Sequence, residues 1–543
     1  MRLGRGTAAL VGALLGLTGS LMFVTPASAH AVLTGTTPAA GVTLPTAPAT
    51  VTLTFSEAVR AVPGKIRVIA PDGSRADRDT PTIAGGVVTI PLRSGTPNGT
   101  YLVSYRVISA DSHPVSGGFS YSVGAPSATP DLPEEGGTDP VVGVLLPVGK
   151  YLGYAGLVLL VGPVLVLLAL WPQRLSRREP ARLAWLGVGL VGLSTLLALL
   201  LQAPYTTGSS LAGIAGSDLG DVIGSPFGTA MLVRLAALAA AALLLRPVLR
   251  GDSSVADRGL LAILAVVGLA TWPISSHPSA SPVPLVSVLA DAAHLASMAV
   301  WLGGLVMLLF FLLRQANETE LEAILPIWAR WAALAVVVLL IAGSLQALIE
   351  IGTPRALIDT TYGRLVLAKI GLFAGVLAVA AYSRKLVRQR IGAQRPGSVR
   401  KAVSAELAIT AVVLAVTTVL VQTTPGRTAE ANSQVSGSGY ASTLDSNLYS
   451  LQVQIDPAKV GPNSIHLYAY TKDGQPQPVA EWKATAALPS AGVEPIDIPL
   501  LKILDYHSIG ELALTVPGDW EFRFTLRTSE IDQATVIATV PVS

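Results

Sequence analysis

The stretch LADAAHLASMAVWLGGL, Leu289 to Leu305, sits inside an apolar run from 284 to 313. That run is long enough to cross roughly 30 Å of hydrocarbon, yet it carries Asp291 and His294. Ionisable groups inside a span are costly and mark sites by default. Asp291, His294, Met298 and Trp301 are spaced by three, four and three, so a helix puts them on one stripe facing one cavity. Counted at about 1.5 Å per residue from residue 284, Asp291 and His294 lie about 10–15 Å deep.

Working outward, seven further runs have spanning length, near 143–171, 183–203, 228–249, 258–274, 328–350, 364–383 and 403–422. The loops alternate in charge. Arg174 to Arg182, Arg246 to Arg258 and Arg384 to Lys401 are cation-rich, whereas 204–227 and 275–283 contain no Lys or Arg and 351–363 only Arg355. The positive-inside rule makes the basic loops cytoplasmic. The expectation is a multi-pass plasma-membrane protein with N-terminal and C-terminal domains both extracytoplasmic. Of the 543 residues, 51% are hydrophobic and 13% charged, with mean hydropathy +0.57. A net charge of +3 gives no electrostatic support for a nucleic-acid partner. The chain has no Cys, which excludes disulfides and thiolate catalysis, and no GxxxxGK[ST] that would cradle ATP.

The N-terminus reads as a signal peptide over 1–29. Arg2 and Arg5 precede an apolar run, and the small-x-small ASA of Ala27 to Ala29 stands before His30. Cleavage there gives a new N-terminus whose α-amine and imidazole form one chelate. Residues 30–124 alternate in short runs such as TVTLTF and TYLVSYRVIS, the pattern of a small β-sandwich. A Pro/Gly-rich linker, 125–140, leads to the membrane domain, 141–424. A second linker, 425–439, precedes another alternating segment, 440–543. In SADSHPVSGGFSYSV, Ser109 to Val123, Asp111 and His113 lie two apart, so an extended segment sends both to one face. With the amine and imidazole of His30 they make an N/O set suited to Cu(II), whereas Asp-x-His alone reads first as a polar loop.

On these motifs the segment 30–124 resembles the CopC family of secreted copper-binding β-sandwiches: an initial His30, FSEAV from Phe55 to Val59, and SADSHPVSG come in that family's order. The resemblance implies His30, Asp111 and His113 as ligands and Glu57 as an acceptor that orients one of them. A Met-rich Cu(I) site is not expected, because no Met occurs between Met22 and Met231. Leu289 to Leu305, YGRLVLAKIGL from Tyr362 and FGTAMLVRLA from Phe227 resemble helices of the CopD family. VPGDWEFRFTLR, Val516 to Arg527, resembles secreted YtkA-like domains.

The fold expectation is therefore mixed: an Ig-like CopC-type β-sandwich, eight transmembrane helices and a C-terminal β-sandwich. The functional expectation is a non-enzymatic copper-handling protein for uptake, homeostasis or resistance. Cu(II) is captured at the outer domain and passed along a membrane path of His294, Asp291, His277, Met298 and Met231. Copper and the lipid bilayer are the expected partners, with other copper-handling proteins open. Two alternatives stand beside it: a membrane oxidoreductase with His277 and His294 binding haem or copper, and a copper store or sensor. Arg234, Arg364, Lys369 and Lys150 are expected to pair with Asp291 or to snorkel. The charge of Asp291 either orients His294 from one turn away or attracts the cation. His466 and His507 in the last segment read as surface or strand histidines, with metal ligation as the alternative.

Overall fold

The computed structural model describes residues 31–125, 127, 130, 138–388, 396–429, 440–472 and 475–542. The signal segment and His30 lie outside them. The chain divides into a helical unit, which comprises residues 137–430 together with Ile108–Pro114, and a β unit formed by the rest of the first sandwich and the C-terminal segment.

Among the described residues, the helical unit contains eight helices long and apolar enough to cross a membrane. They are α1 (Pro140–Ala169), α2 (Arg178–Thr207), α3 (Pro226–Arg250), α4 (Val255–Ile274), α5 (Pro284–Met307), α6 (Glu318–Ile351), α7 (Thr361–Arg388) and α8 (Pro396–Leu420). This is a multi-pass membrane protein. Most helices run past the apolar runs read from sequence, because the polar flanks supply caps. Asp139 accepts from the amides of Val141 and Val142 at the start of α1, Ser254 and Asp257 form a capping box on α4, and Asn317 and Glu320 do so on α6. A π-helical turn, Leu308–Leu312, carries α5 onward. Small residues set the packing. A Cβ on Gly162 of α1 would strike the backbone of Gly303 on α5, and one on Gly187 of α2 would strike that of α1 at Leu160. Lipid supplies no hydrophobic drive between helices, so such close backbone approach supplies the association.

In the β unit the first sandwich has nine strands: β1 (Leu33–Thr37), β2 (Thr43–Leu44), β3 (Thr50–Phe55), β4 (Arg60–Ala61), β5 (Arg67–Ile69), β6 (Thr82–Ala84), β7 (Val87–Pro91), β8 (Gly99–Ile108) and β9 (Pro114–Val123). One sheet runs β1-β3-β7-β6 and the other β2-β9-β8-β4, with β5 also on β8. Alternate residues of both close the core, with Val51, Leu53, Val88, Ile90, Val103 and Tyr121 among them. The second sandwich consists of β10 (Tyr440–Asp445), β11 (Ser450–Asp456), β12 (Gly461–Tyr470), β13 (Glu481–Leu488), β14 (Val493–Ile498), β15 (Leu500–Leu504), β16 (His507–Leu514), β17 (Gly518–Arg527) and β18 (Gln533–Val542). Its sheets run β10-β11-β12-β16-β15 and β14-β13-β17-β18, closed over Trp520, Phe522 and Phe524. The two sandwiches touch where Gln454 Nε2 donates to Gly41 O at 3.0 Å and Thr43 Oγ1 meets Gln452 Oε1 at 3.2 Å.

Candidate metal centre

Strands β8 and β9 are joined by Ser109–His113, a tight turn and not the extended segment expected from sequence. The Ser109 amide donates to His113 O at 3.0 Å, the Ser112 amide to Ser109 O at 3.0 Å, and Ser112 takes φ +69°. A non-glycine residue in the left-handed region is uncommon, and here it directs the turn's two ligand-type side chains together. Asp111 and His113 thus converge through backbone curvature, not through strand alternation. Gln202 on α2 holds the turn by donating to Ser112 O at 2.6 Å.

Asp111, 2% exposed, is the hub. Its Oδ1 accepts from the Ser109 hydroxyl and from the His113 amide at 3.2 Å. Its Oδ2 stands 2.8 Å from Nδ1 of His277, which begins the short helical turn His277–Ala280 after α4. His113 Nδ1 lies 3.2 Å from Asp111 O. In the tautomer that puts Nδ1–H toward Asp111, each Nε2 keeps a lone pair available to a metal ion. The two imidazoles stack with centroids 4.4 Å apart at 29°, and Tyr205 packs edge-on to His113 at 5.9 Å. One ligand atom from each of Asp111, His113 and His277 falls within 4.8 Å of the others, and all three residues are buried. One oxygen and two imidazole nitrogens at that spacing are a donor set for a late divalent ion, Cu(II) foremost.

This cluster lines a cavity of about 500 Å³ in the helical unit, whose wall also includes Asp291, His294, Met298, Trp301 and Met231. The stripe on α5 therefore does face one cavity. His277, expected along the membrane path, stands with Asp111 and His113. His294 keeps a buried Nδ1 with no hydrogen-bond partner. Gly343 on α6 makes room for that ring, since a Cβ there would sit 3.1 Å from its Cε1. Asp291 Oδ1 accepts from Gln346 Nε2 at 2.7 Å. Lys369 and Lys150 lie near enough to Asp291 to interact with its charge, while two of the cations find hydrogen-bond acceptors elsewhere. Arg234, 5% exposed, donates to Thr271 Oγ1 at 2.8 Å and lies 4.1 Å over the Trp272 ring, and Lys150 Nζ reaches Val421 O at 3.4 Å. Neither snorkels, because backbone, hydroxyl and ring acceptors are available inside the bundle. Met298 and Met231 are buried at 8% and 1% exposure. Glu57 is buried in the first sandwich just past β3. Sequence reasoning missed Gln202, Gln346 and Gly343, none of which belongs to a metal-ligand residue pattern, and gave no role to Ser109 although it opens the SADSHPVSG motif.

A β-sandwich whose β8–β9 turn presents Asp111 and His113, joined to an eight-helix membrane domain with its own imidazoles, defines a class of protein, the two-part copper-handling membrane protein. The comparisons agree. Residues 33–124 match the CopC domain, 139–283 the copper resistance protein D-like N-terminal domain, and 322–420 copper resistance protein D. The chain thus carries a CopC domain followed by copper resistance protein D-type membrane segments, and it is similar to copper transport and copper resistance proteins. It is 28% identical over 462 residues to the copper transport protein CutJ of Bacillus subtilis, covering 82% of this chain and 83% of that one. It is 28% identical over 249 residues to copper resistance protein D of Pseudomonas syringae pv. tomato, covering 42% of this chain and 78% of that one. A crystal structure of CopC from Methylosinus trichosporium OB3b aligns over 19% of this chain and all of its own at 24% identity, with a TM-score of 0.16. These relatives are named for transport and resistance and not for catalysis. His294 lies between the two matched membrane segments.

Proposed function

We propose that the protein captures Cu(II) outside the membrane at Asp111, His113 and His277, with the amine and imidazole of His30 completing the set, and passes copper through the helical cavity by way of His294. The observation that carries this reading is the 2.8 Å contact between Asp111 and His277. Through it, the carboxylate of the β8–β9 turn and the imidazole that follows α4 belong to one cluster within the helical unit, so an ion bound there already touches the membrane domain. Orientation is supported by the side of the bundle where Arg177, Arg178, Arg246 and Arg250 gather around one pocket, which the positive-inside rule makes cytoplasmic. The relatives' names, copper transport and copper resistance, point the same way.

The test is copper accumulation by cells expressing the intact chain against a His294→Leu variant. Leu keeps an apolar side chain of similar size, so a merely packed histidine tolerates the change. A histidine on the path loses flux while the protein inserts normally and Cu(II) affinity at Asp111, His113 and His277 stays put. Wild-type flux in His294→Leu refutes the path.

A further inference from the structure

We propose that His466 and His507 form a second metal site, a bis-imidazole centre on the outward face of the C-terminal sandwich that takes a late transition-metal ion, Cu(II) above all. The two residues belong to neighbouring strands. His466 is on β12 and His507 on β16, with Tyr468 of β12 directly opposite His507 in the antiparallel register. Alternation sends Ile465, Leu467 and Ala469 into the core and leaves His466 and Tyr468 on the other face, where His507 also lies. The imidazoles are stacked at 5.7 Å between centroids with 19° between planes, and Tyr468 packs at 4.2 Å against His507.

The second observation is chemical. His466 Nδ1 and His507 Nε2 are both shielded from solvent and neither has a hydrogen-bond partner. Buried polar nitrogens are normally bonded, and two such orphans on adjacent rings are what one shared ion would satisfy. Metal–nitrogen bonds of about 2 Å to each ring fit a centroid separation of this size, since histidine χ2 rotates over a broad well. Without thiolate or thioether donors nearby in the register, an imidazole-seeking ion high in the divalent affinity order is favoured. Exposed Glu511, on the same face of β16, offers a carboxylate along the strand. Gln454, paired in register with His466, is the residue that bonds to Gly41 of the first sandwich, so the site adjoins the contact between the two β domains. It is separate from Asp111, His113 and His277.

The experiment uses the purified full chain dialysed against glycine-buffered Cu(II), with copper per chain measured by mass spectrometry and ligation by electron paramagnetic resonance. The His466→Gln/His507→Gln double variant is expected to hold one copper fewer per chain and to lose a signal with two nitrogen couplings. Each single variant should give the same loss, which guards against a folding artefact of the pair, and Tyr468→Phe should keep the copper. A double variant with an unchanged melting curve, copper count and spectrum overturns the proposal.

Discussion

Replacing His277 by Ala tests whether the turn after α4 shares a metal site with Asp111 and His113. The substitution removes one of the three clustered donors and takes away the 2.8 Å partner of Asp111, a carboxylate only 2% exposed. It also unstacks the His113 ring from its 4.4 Å neighbour. Loss of groups that ligate or orient metal ligands typically costs about 10–100-fold in affinity, or about 1.4–2.8 kcal/mol. The metal-free protein should lose stability as well, by about 1–3 kcal/mol, since Asp111 is left with an unmade buried hydrogen bond. A histidine that merely sat in a loop would change Cu(II) affinity less than about twofold and leave melting unmoved, as surface substitutions do. The assay is competition of full-length protein in detergent against a Cu(II) chelator, with thermal melting of the same samples. His277→Gln separates two roles: the amide can still hydrogen-bond Asp111 but offers no imidazole nitrogen, so a positioning residue is rescued by Gln and a ligand is not. Folded His277→Ala protein that binds Cu(II) within twofold of wild type would refute the shared site.

Gly343→Val should reduce copper flux without touching Cu(II) capture, because even the added Cβ sits 3.1 Å from His294 Cε1 and the valine branches crowd the ring off its position; uptake assays beside binding titrations check it. The C-terminal sandwich should lose stability as pH falls below about 6.5. The folded-state value of His507 is depressed, so the unfolded chain binds the proton more readily and stability is full only above that range. His507→Gln should flatten the slope of melting temperature against pH. Trp520→Ala, at a fully buried ring whose Nε1 donates to Val516 O at 3.0 Å, should destabilise that sandwich by about 3–5 kcal/mol, read by denaturant unfolding.

Local pattern determined much of this protein. Eight spans, two β-sandwiches and the α5 stripe of Asp291, His294, Met298 and Trp301 were legible because hydrophobic runs, two-residue alternation and helical periodicity are properties of neighbouring residues. Asp111 and His113 were legible as a pair for the same reason. Their route to convergence was not, since a left-handed Ser112 inside a turn leaves no trace in spacing. Only the tertiary structure decided which histidine joins them. His277 is 166 residues from Asp111 in the chain, and its loop SSHPSASP carries no periodicity to say what it meets. The same holds for Gln346 taking Asp291, for Arg234 finding Thr271 and Trp272, and for His466 meeting His507 across β12 and β16. Each is a contact between segments that the sequence describes separately, and such contacts are chosen by which helices and strands pack together, a choice made by the buried area and close backbone approach of the whole unit and not by any one stretch.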